Sequence, residues 1–231
     1  MLRNCSEEDF IRFEKSPLFS RIYGDFVSSE KLKNSDGAMF MTDENDLLIE
    51  IKNSSLVQIG EPIDEEELRE FLEFVSPSVK MYAEKDKTKA DGIIMKRNSV
   101  GEKKKIIQNG DYRLKDFYNL FCDSGLYSDY QGFMLSVSDA IKTETGFVNG
   151  IYIDGELACG AVVTGVTDKT AIITAIATDG NYRRKGLGKK LITEICEKLI
   201  GREIFIYREI DKNKEFYENC GFLECGAFVT K

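Results

Sequence analysis

Residues 181–190, NYRRKGLGKK, decide how this chain is read. Five of the ten are cations, Arg183, Arg184, Lys185, Lys189 and Lys190, and none is an acid. They surround Gly186 and Gly188, in a chain of 231 residues whose formal net charge is -8. A β-rich run, TAIITAIAT (170–178), precedes the stretch. Leu187, Leu191, Ile192, Ile195 and Leu199 follow at helical spacing. The glycines therefore stand where a helix begins after a strand.

A helix start leaves backbone N–H groups unpaired and carries partial positive charge. Glycine lets an anion approach the backbone closely. Strand, glycine loop and helix together make a phosphate cradle, and the flanking cations add charge-assisted contacts. An ordinary solvated helix start gives no reason for two glycines, each costing about 1 kcal/mol against alanine. A nucleic-acid surface calls for a broader basic face with interleaved aromatics. The P-loop pattern G-x-x-x-x-G-K-[ST] fails, with Arg183 at its first glycine and Lys190 at its Ser/Thr. The dinucleotide pattern G-x-G-x-x-G fails at Leu191.

Composition sets the outer limits. The chain is 42% hydrophobic and 31% charged, as a globular protein with a core is. Its first residues, MLRNCSEEDF, lack the apolar core of a signal peptide, and no window reaches the length of a membrane span. A cytoplasmic location is expected. The six cysteines show no CxxC pair, so reduced and mostly buried thiols are expected. The absence of histidine removes Ser-His and Cys-His nucleophile pairs and His-containing metal sites. No metal is expected. Proton transfer is left to Glu, Asp, Tyr, Lys, Cys or water.

Elsewhere the pattern predicts a helical start capped by Ser6 and Asp9, then strands at 38–42, 46–51 and 55–59. A helix follows, with Asp64 and Glu67 as capping box and Leu68, Phe71, Leu72 and Val75 on one face. Strands are expected at 79–84 and 92–97, the latter paired with 103–108. The second half opens with two helices, the second capped by Ser128 and Gln131. Strands at 147–153, 156–166 and 170–178 then suit an antiparallel meander. After the basic stretch and its helix come a strand (203–209), a short helix in DKNKEFYENCGF and a last strand. The two halves thus repeat one architecture. The expectation is an α+β fold of two tandem halves, each a mostly antiparallel twisted sheet flanked by helices, divided as 1–100 and 104–231. One continuous mixed sheet is the competing arrangement.

The basic stretch also meets [QR]-x-x-G-x-[GA], at Arg183, Gly186 and Gly188. With IATDGNYRRKGLGKKLI followed by FYENCGF, residues 104 to 231 resemble the GNAT superfamily of N-acetyltransferases. The first half resembles a degenerate copy, because IGEPIDEEELREF stands at the corresponding place without glycines or cations. The resemblance implies acetyl-CoA as cosubstrate, bound in the second half alone. Its pyrophosphate would lie on Arg183, Arg184, Lys185, Gly186, Leu187, Gly188 and Lys189. Its pantetheine arm would pair with the strand edge at Ile176, Ala177 and Thr178, as in β-augmentation. A backbone N–H near Ile176 would meet the thioester oxygen.

Tyr217 aligns with the family's general-acid tyrosine; by residue type alone it reads first as a buried aromatic packing beside Phe216. Glu209 and Asp179 are the nearest carboxylates that could serve as base, and both read as surface groups, so no base is assigned. Where family members often carry Asn, seven residues before the tyrosine, this chain has Ile210. The implied activity is acetyl transfer to a primary amine of a small molecule or peptide, with a non-catalytic acyl-CoA sensor as the rival. With the cations confined to one loop and no apolar span, no nucleic-acid or membrane partner is expected. A monomer or homodimer is expected, and the acidity mildly favours a cationic acceptor.

Overall fold

A computed structural model describes residues 1–32, 38–52, 55–75, 77–84, 87–103 and 112–230. In chain order the elements are β1 (Arg3–Asn4), α1 (Phe19–Leu32), β2 (Met39–Thr42), β3 (Leu48–Lys52), β4 (Ser55–Ile59), α2 (Glu65–Val75), β5 (Val79–Glu84) and β6 (Gly92–Asn98). There follow α3 (Leu114–Asp123), α4 (Tyr130–Lys142), β7 (Phe147–Ile153), β8 (Glu156–Thr164), β9 (Thr170–Thr178), α5 (Leu187–Lys198), β10 (Glu203–Glu209), α6 (Lys214–Glu218) and β11 (Leu223–Thr230). Three 3-10 segments, Glu7–Phe13, Lys87–Lys89 and Gly180–Tyr182, complete the description. The strand expected at 103–108 lies outside the described residues, save its first position.

The chain divides into two compact units, Met1–Met95 with Arg208–Lys212 and Glu224–Lys231, and Lys96–Tyr207 with Asn213–Leu223. The C-terminal strand therefore belongs almost wholly to the first unit, where β11 runs antiparallel to β5.

In the first unit, β1 to β4 pair antiparallel in sequence order, and β4 pairs with β5 in parallel. The helix α2 crosses between β4 and β5, as a parallel connection demands. It buries Leu68 against Leu47, Ile49 and Leu56. In the second unit β7, β8 and β9 form the expected antiparallel meander, and β9 pairs with β10 in parallel across α5. Phe117 and Phe121 of α3 and Phe133 and Val137 of α4 pack on Val148, Val162 and Ala175. Each fully buried aromatic of that layer contributes about 1.5–3 kcal/mol. Both units thus run helix, three antiparallel strands, helix, parallel strand.

Local signals hold with small corrections. Asp9 accepts from the backbone N–H of Ser6 at 2.8 Å, but the segment it starts is 3-10, and the first α-helix begins at Phe19. The N-cap of α4 is Asp129, whose carboxylate accepts from Gly132 N at 3.0 Å, and not Ser128. Asp64 accepts from Glu66 N and Glu67 N at 2.9 and 3.0 Å. Glu67 does not close that box; its carboxylate accepts from Leu2 N at 3.1 Å. Of the six thiols only Cys159, Cys196 and Cys220 are buried, while Cys122 and Cys225 are exposed, fewer than the composition led one to expect.

Candidate active site

The site is assembled where β9 meets α5. Thr170 to Ile173 pair with Glu203 to Ile206 of β10, and among the described residues the pairing stops there. On its other side β9 shifts register against β8: Ile173 faces Val163, Ala175 faces Val162, and Thr174 is the extra residue of a β-bulge. Thr174 is exposed and its hydroxyl meets that of Thr164 at 2.6 Å. A bulge bends its strand and sharpens the twist. Ala175 to Thr178 therefore continue past the last β10 pair while staying bonded to β8. Ile176, Ala177 and Thr178, which the sequence singled out, lie on this segment.

From Thr178 the chain turns through Asp179, whose carboxylate accepts from Asn181 N at 2.9 Å and starts the 3-10 turn Gly180–Tyr182. Arg183 Nε donates to the Thr178 carbonyl at 3.1 Å. Arg184 has φ +62°, a left-handed conformation uncommon outside glycine. Gly186 is the N-cap of α5 at φ +77°. No side chain caps this helix. Lys190 N already reaches Gly186 O at 3.1 Å, so the N–H groups of Leu187, Gly188 and Lys189 are the first-turn donors the helix itself does not use. Arg183, Arg184, Lys185, Lys189 and Lys190 are all exposed, and among the described residues none joins an ion pair. Lys185 lies over the Tyr182 ring at 5.1 Å.

The two glycines have separate physical reasons. At Gly186 the backbone conformation is the constraint, since an added Cβ would meet nothing within 4 Å. At Gly188 space is the constraint: an added Cβ would lie 3.2 Å from Phe216 Cζ and 3.7 Å from Thr178 Oγ1. The missing side chain thus lets α6 close onto the start of α5. The sequence assigned both glycines to anion approach; Phe216 is the partner it missed.

Tyr217 follows Phe216 on α6 and is 9% exposed. Its ring packs on Phe216 and Phe222, with centroids 5.1 and 6.2 Å apart. The helix enters through Asn213 at φ +59°. In the first unit, the buried Arg208 holds the residues leading there. Its Nη1 donates to the carbonyls of Glu209, at 2.9 Å, and Ile210, and its Nη2 to Glu224 Oε1 at 3.0 Å. Ile210 is thereby a backbone anchor. Glu209 pairs with Lys212 at 2.6 Å on the surface, and Asp179 serves its turn, so both carboxylates considered as bases have structural partners.

Close to the β9 edge, Thr178 Oγ1 donates to Cys159 Sγ at 3.2 Å. Burial pushes that thiol above its ordinary range, opposed by the Thr178 hydrogen bond. Burial likewise pushes Cys196, on α5, up to about 11. Both are thereby favoured as thiols, the unreactive form of a buried cysteine. Among the described residues no His, Cys, Asp or Glu cluster is placed to hold a metal, and no helix is long and apolar enough to cross a membrane.

Comparison with known proteins accords with this geometry. Residues 114–222 match the family model described as Acetyltransferase (GNAT) family. A GNAT acetyltransferase from Colwellia psychrerythraea superposes with TM-score 0.54 at 12% identity, covering 100% of this chain and 98% of that one. A tandem GNAT protein from the clavulanic acid biosynthesis pathway gives 0.57 at 11%, covering 100% and 98%. A GCN5-related N-acetyltransferase from Sphaerobacter thermophilus gives 0.56 at 11%, covering 100% and 94%. At such identities these likenesses establish the fold. No curated protein matches the sequence significantly.

Proposed function

We propose that this chain, whose residues 114–222 form a GNAT acetyltransferase domain, transfers an acetyl group from acetyl-CoA to a primary amine. The observation that carries the reading is the continuity of two kinds of donor. The strand segment Ala175–Thr178, left without β10 by the Thr174 bulge, runs directly to the uncapped start of α5. An extended arm with two amides suits the first, and a pyrophosphate suits the second.

In this reading the N–H groups of Leu187, Gly188 and Lys189, with the backbone from Arg184, take the pyrophosphate. Arg184, Lys185 and Lys189 neutralise it, and Arg183 fixes the loop to the strand through the Thr178 carbonyl. Ile176, Ala177 and Thr178 hold the pantetheine amides. An N–H near Ile176 receives the charge that develops on the thioester oxygen as the neutral amine attacks. The amine nitrogen of the tetrahedral intermediate gives its surplus proton to water, the carbon–sulfur bond breaks, and Tyr217 gives its proton to the departing thiolate and regains one from solvent. The residues 104–231 supply this chemistry, with 1–100 as a copy that has lost it. Asp64 occupies the first-turn donors of α2, and Glu65, Glu66 and Glu67 repel phosphate there. A cytoplasmic enzyme acting as monomer or homodimer, on a small amine or a peptide, completes the proposal.

The test is release of free thiol from acetyl-CoA across a panel of amines and peptides. Amine-dependent release supports the reading. Intact acetyl-CoA binding with no release across a broad panel overturns it in favour of an acyl-CoA sensor.

A further inference from the structure

Among the described residues, the first unit shows no helix after its parallel strand, where the second has one. There α6 comes after β10 and packs on the start of α5 through Phe216. Between β5 and β6 the described residues form a single 3-10 turn, Lys87–Lys89. The flank of α2 beside β5 is correspondingly open, and a cavity of about 590 Å³ lies along it. That volume is within the range of about 300–1,000 Å³ that small-molecule sites occupy.

Its lining has two chemical ends and an apolar middle. Lys80 and Tyr82 of β5 are two residues apart and so share one face of their strand, about 6.6 Å apart along it. Tyr82 stands in register with Gln58 of β4. Around that end lie Glu61 and Glu65. Gln58 is 6% exposed, and its Nε2 is taken by the Gly60 carbonyl at 3.0 Å, which leaves its Oε1 as the acceptor. Burial and the Glu61 carboxylate push the Tyr82 hydroxyl above its ordinary range, so it remains a donor at neutral pH. At the other end Lys80 stands in register with Leu56. Arg69, held by Glu66 at 2.7 Å, and Glu73 also line the cavity from α2, and Lys80 is its cation on the strand side. Leu68 and Leu72 of α2 form the apolar wall between the two ends.

We propose that this cavity binds a small zwitterion with an aliphatic body, an α-amino acid or short peptide. Its ammonium pairs with Glu61 and Glu65 and with Gln58 Oε1. Its carboxylate pairs with Lys80, and its side chain lies on Leu68 and Leu72. A phosphate ligand is disfavoured, because Asp64 already takes the first-turn N–H groups of α2 and Glu61 and Glu65 repel it. This site is independent of the reading given to β9 and α5.

Isothermal titration of the full chain tests it, with leucine and leucyl-leucine as zwitterions. Isoamylamine and 4-methylpentanoate, each lacking one charge, are the controls. The expected result is binding of a zwitterion, with each single-charge analogue at least about tenfold weaker. Glu65→Gln and Lys80→Gln should each weaken the zwitterion by about tenfold or more while leaving thiol release from acetyl-CoA unchanged. Both positions are unburied, and circular dichroism melting checks that the variants fold. The proposal is overturned by absence of binding for both zwitterions, by equal binding of isoamylamine, or by binding that persists in both folded variants.

Discussion

Arg183 Nε donates to the Thr178 carbonyl at 3.1 Å, so the side chain that opens the basic loop is tied to the last residue of the strand before it. An exposed cation is thereby given one geometry, and the loop carrying Arg184 to Lys189 is held against the end of β9. Lysine at this position keeps the charge but not the planar donor set. Arg183→Lys should therefore weaken acetyl-CoA binding by about tenfold, the worth of one charge-assisted hydrogen bond. The turnover number at saturating acetyl-CoA should change far less. Titration of acetyl-CoA beside steady-state kinetics separates the two quantities.

Gly186 and Gly188 should fail differently. Gly186→Ala forces a Cβ into a left-handed conformation at φ +77°, costing about 1–2 kcal/mol, and its main effect should be on acetyl-CoA affinity. Gly188→Val places methyl groups where Phe216 packs. It should displace α6, and with it Tyr217, lowering turnover more than affinity. Equal effects of the two changes on affinity and turnover would remove the distinction.

Tyr217→Phe keeps the ring that packs on Phe216 and Phe222 and deletes only the hydroxyl. A general acid contributes about 10²–10⁴ in rate. The variant should lose turnover on that scale while acetyl-CoA affinity changes less than about twofold. Unchanged turnover would reduce Tyr217 to a packing residue.

Much of this arrangement was legible in the sequence, and for local reasons. The strand at 170–178, the glycine loop and the amphipathic face of α5 are each written in adjacent residues. What was not legible depends on partners far along the chain. Nothing in TAIITAIAT names Thr174 as a bulge; its one hint is a polar residue amid apolar neighbours. The Gly188–Phe216 contact spans a whole helix and strand, so the glycine was credited to anion approach alone. The place of β11 beside β5 was invisible for the same reason, since strand pairing is fixed by register and not by local pattern.

Arg208 is the side chain on which the approach to α6 depends. Its side chain is 3% exposed and serves the carbonyls of Glu209 and Ile210 together with Glu224. Arg208→Ala would take the guanidinium from these part-buried carbonyls, while Glu224 keeps its pair with Lys87 at 2.8 Å. The chain should lose about 1–3 kcal/mol of stability, read from urea denaturation. A loss under about 1 kcal/mol would show that water replaces the guanidinium.

Glu50 sets a pH dependence of the opposite sense to a salt-bridged carboxylate. It lies buried on β3; burial first, then the charge of Asp25 and a hydrogen bond with it, push its carboxyl well above the ordinary value, against Arg21 and Lys52. The folded state therefore holds a proton that the unfolded chain releases at lower pH. Stability falls as pH rises from the unfolded carboxyl value toward the folded one. Glu50→Gln retains a donor for Asp25 and removes this titration. It should raise the denaturation midpoint at pH 7 and leave it nearly unchanged near pH 4. A gain that is the same at both values would exclude Glu50 as its source.

Transfer of labelled acetyl tests the central claim most directly. Acetyl-CoA carrying ¹³C in the acetyl group is mixed with the accepting amine, and the products are resolved by mass spectrometry. The wild-type chain should place the label on the amine nitrogen, Arg183→Lys should do so at full rate once acetyl-CoA saturates, and Tyr217→Phe should do so only slowly. Label that reaches no amine, while acetyl-CoA still binds, would contradict the account.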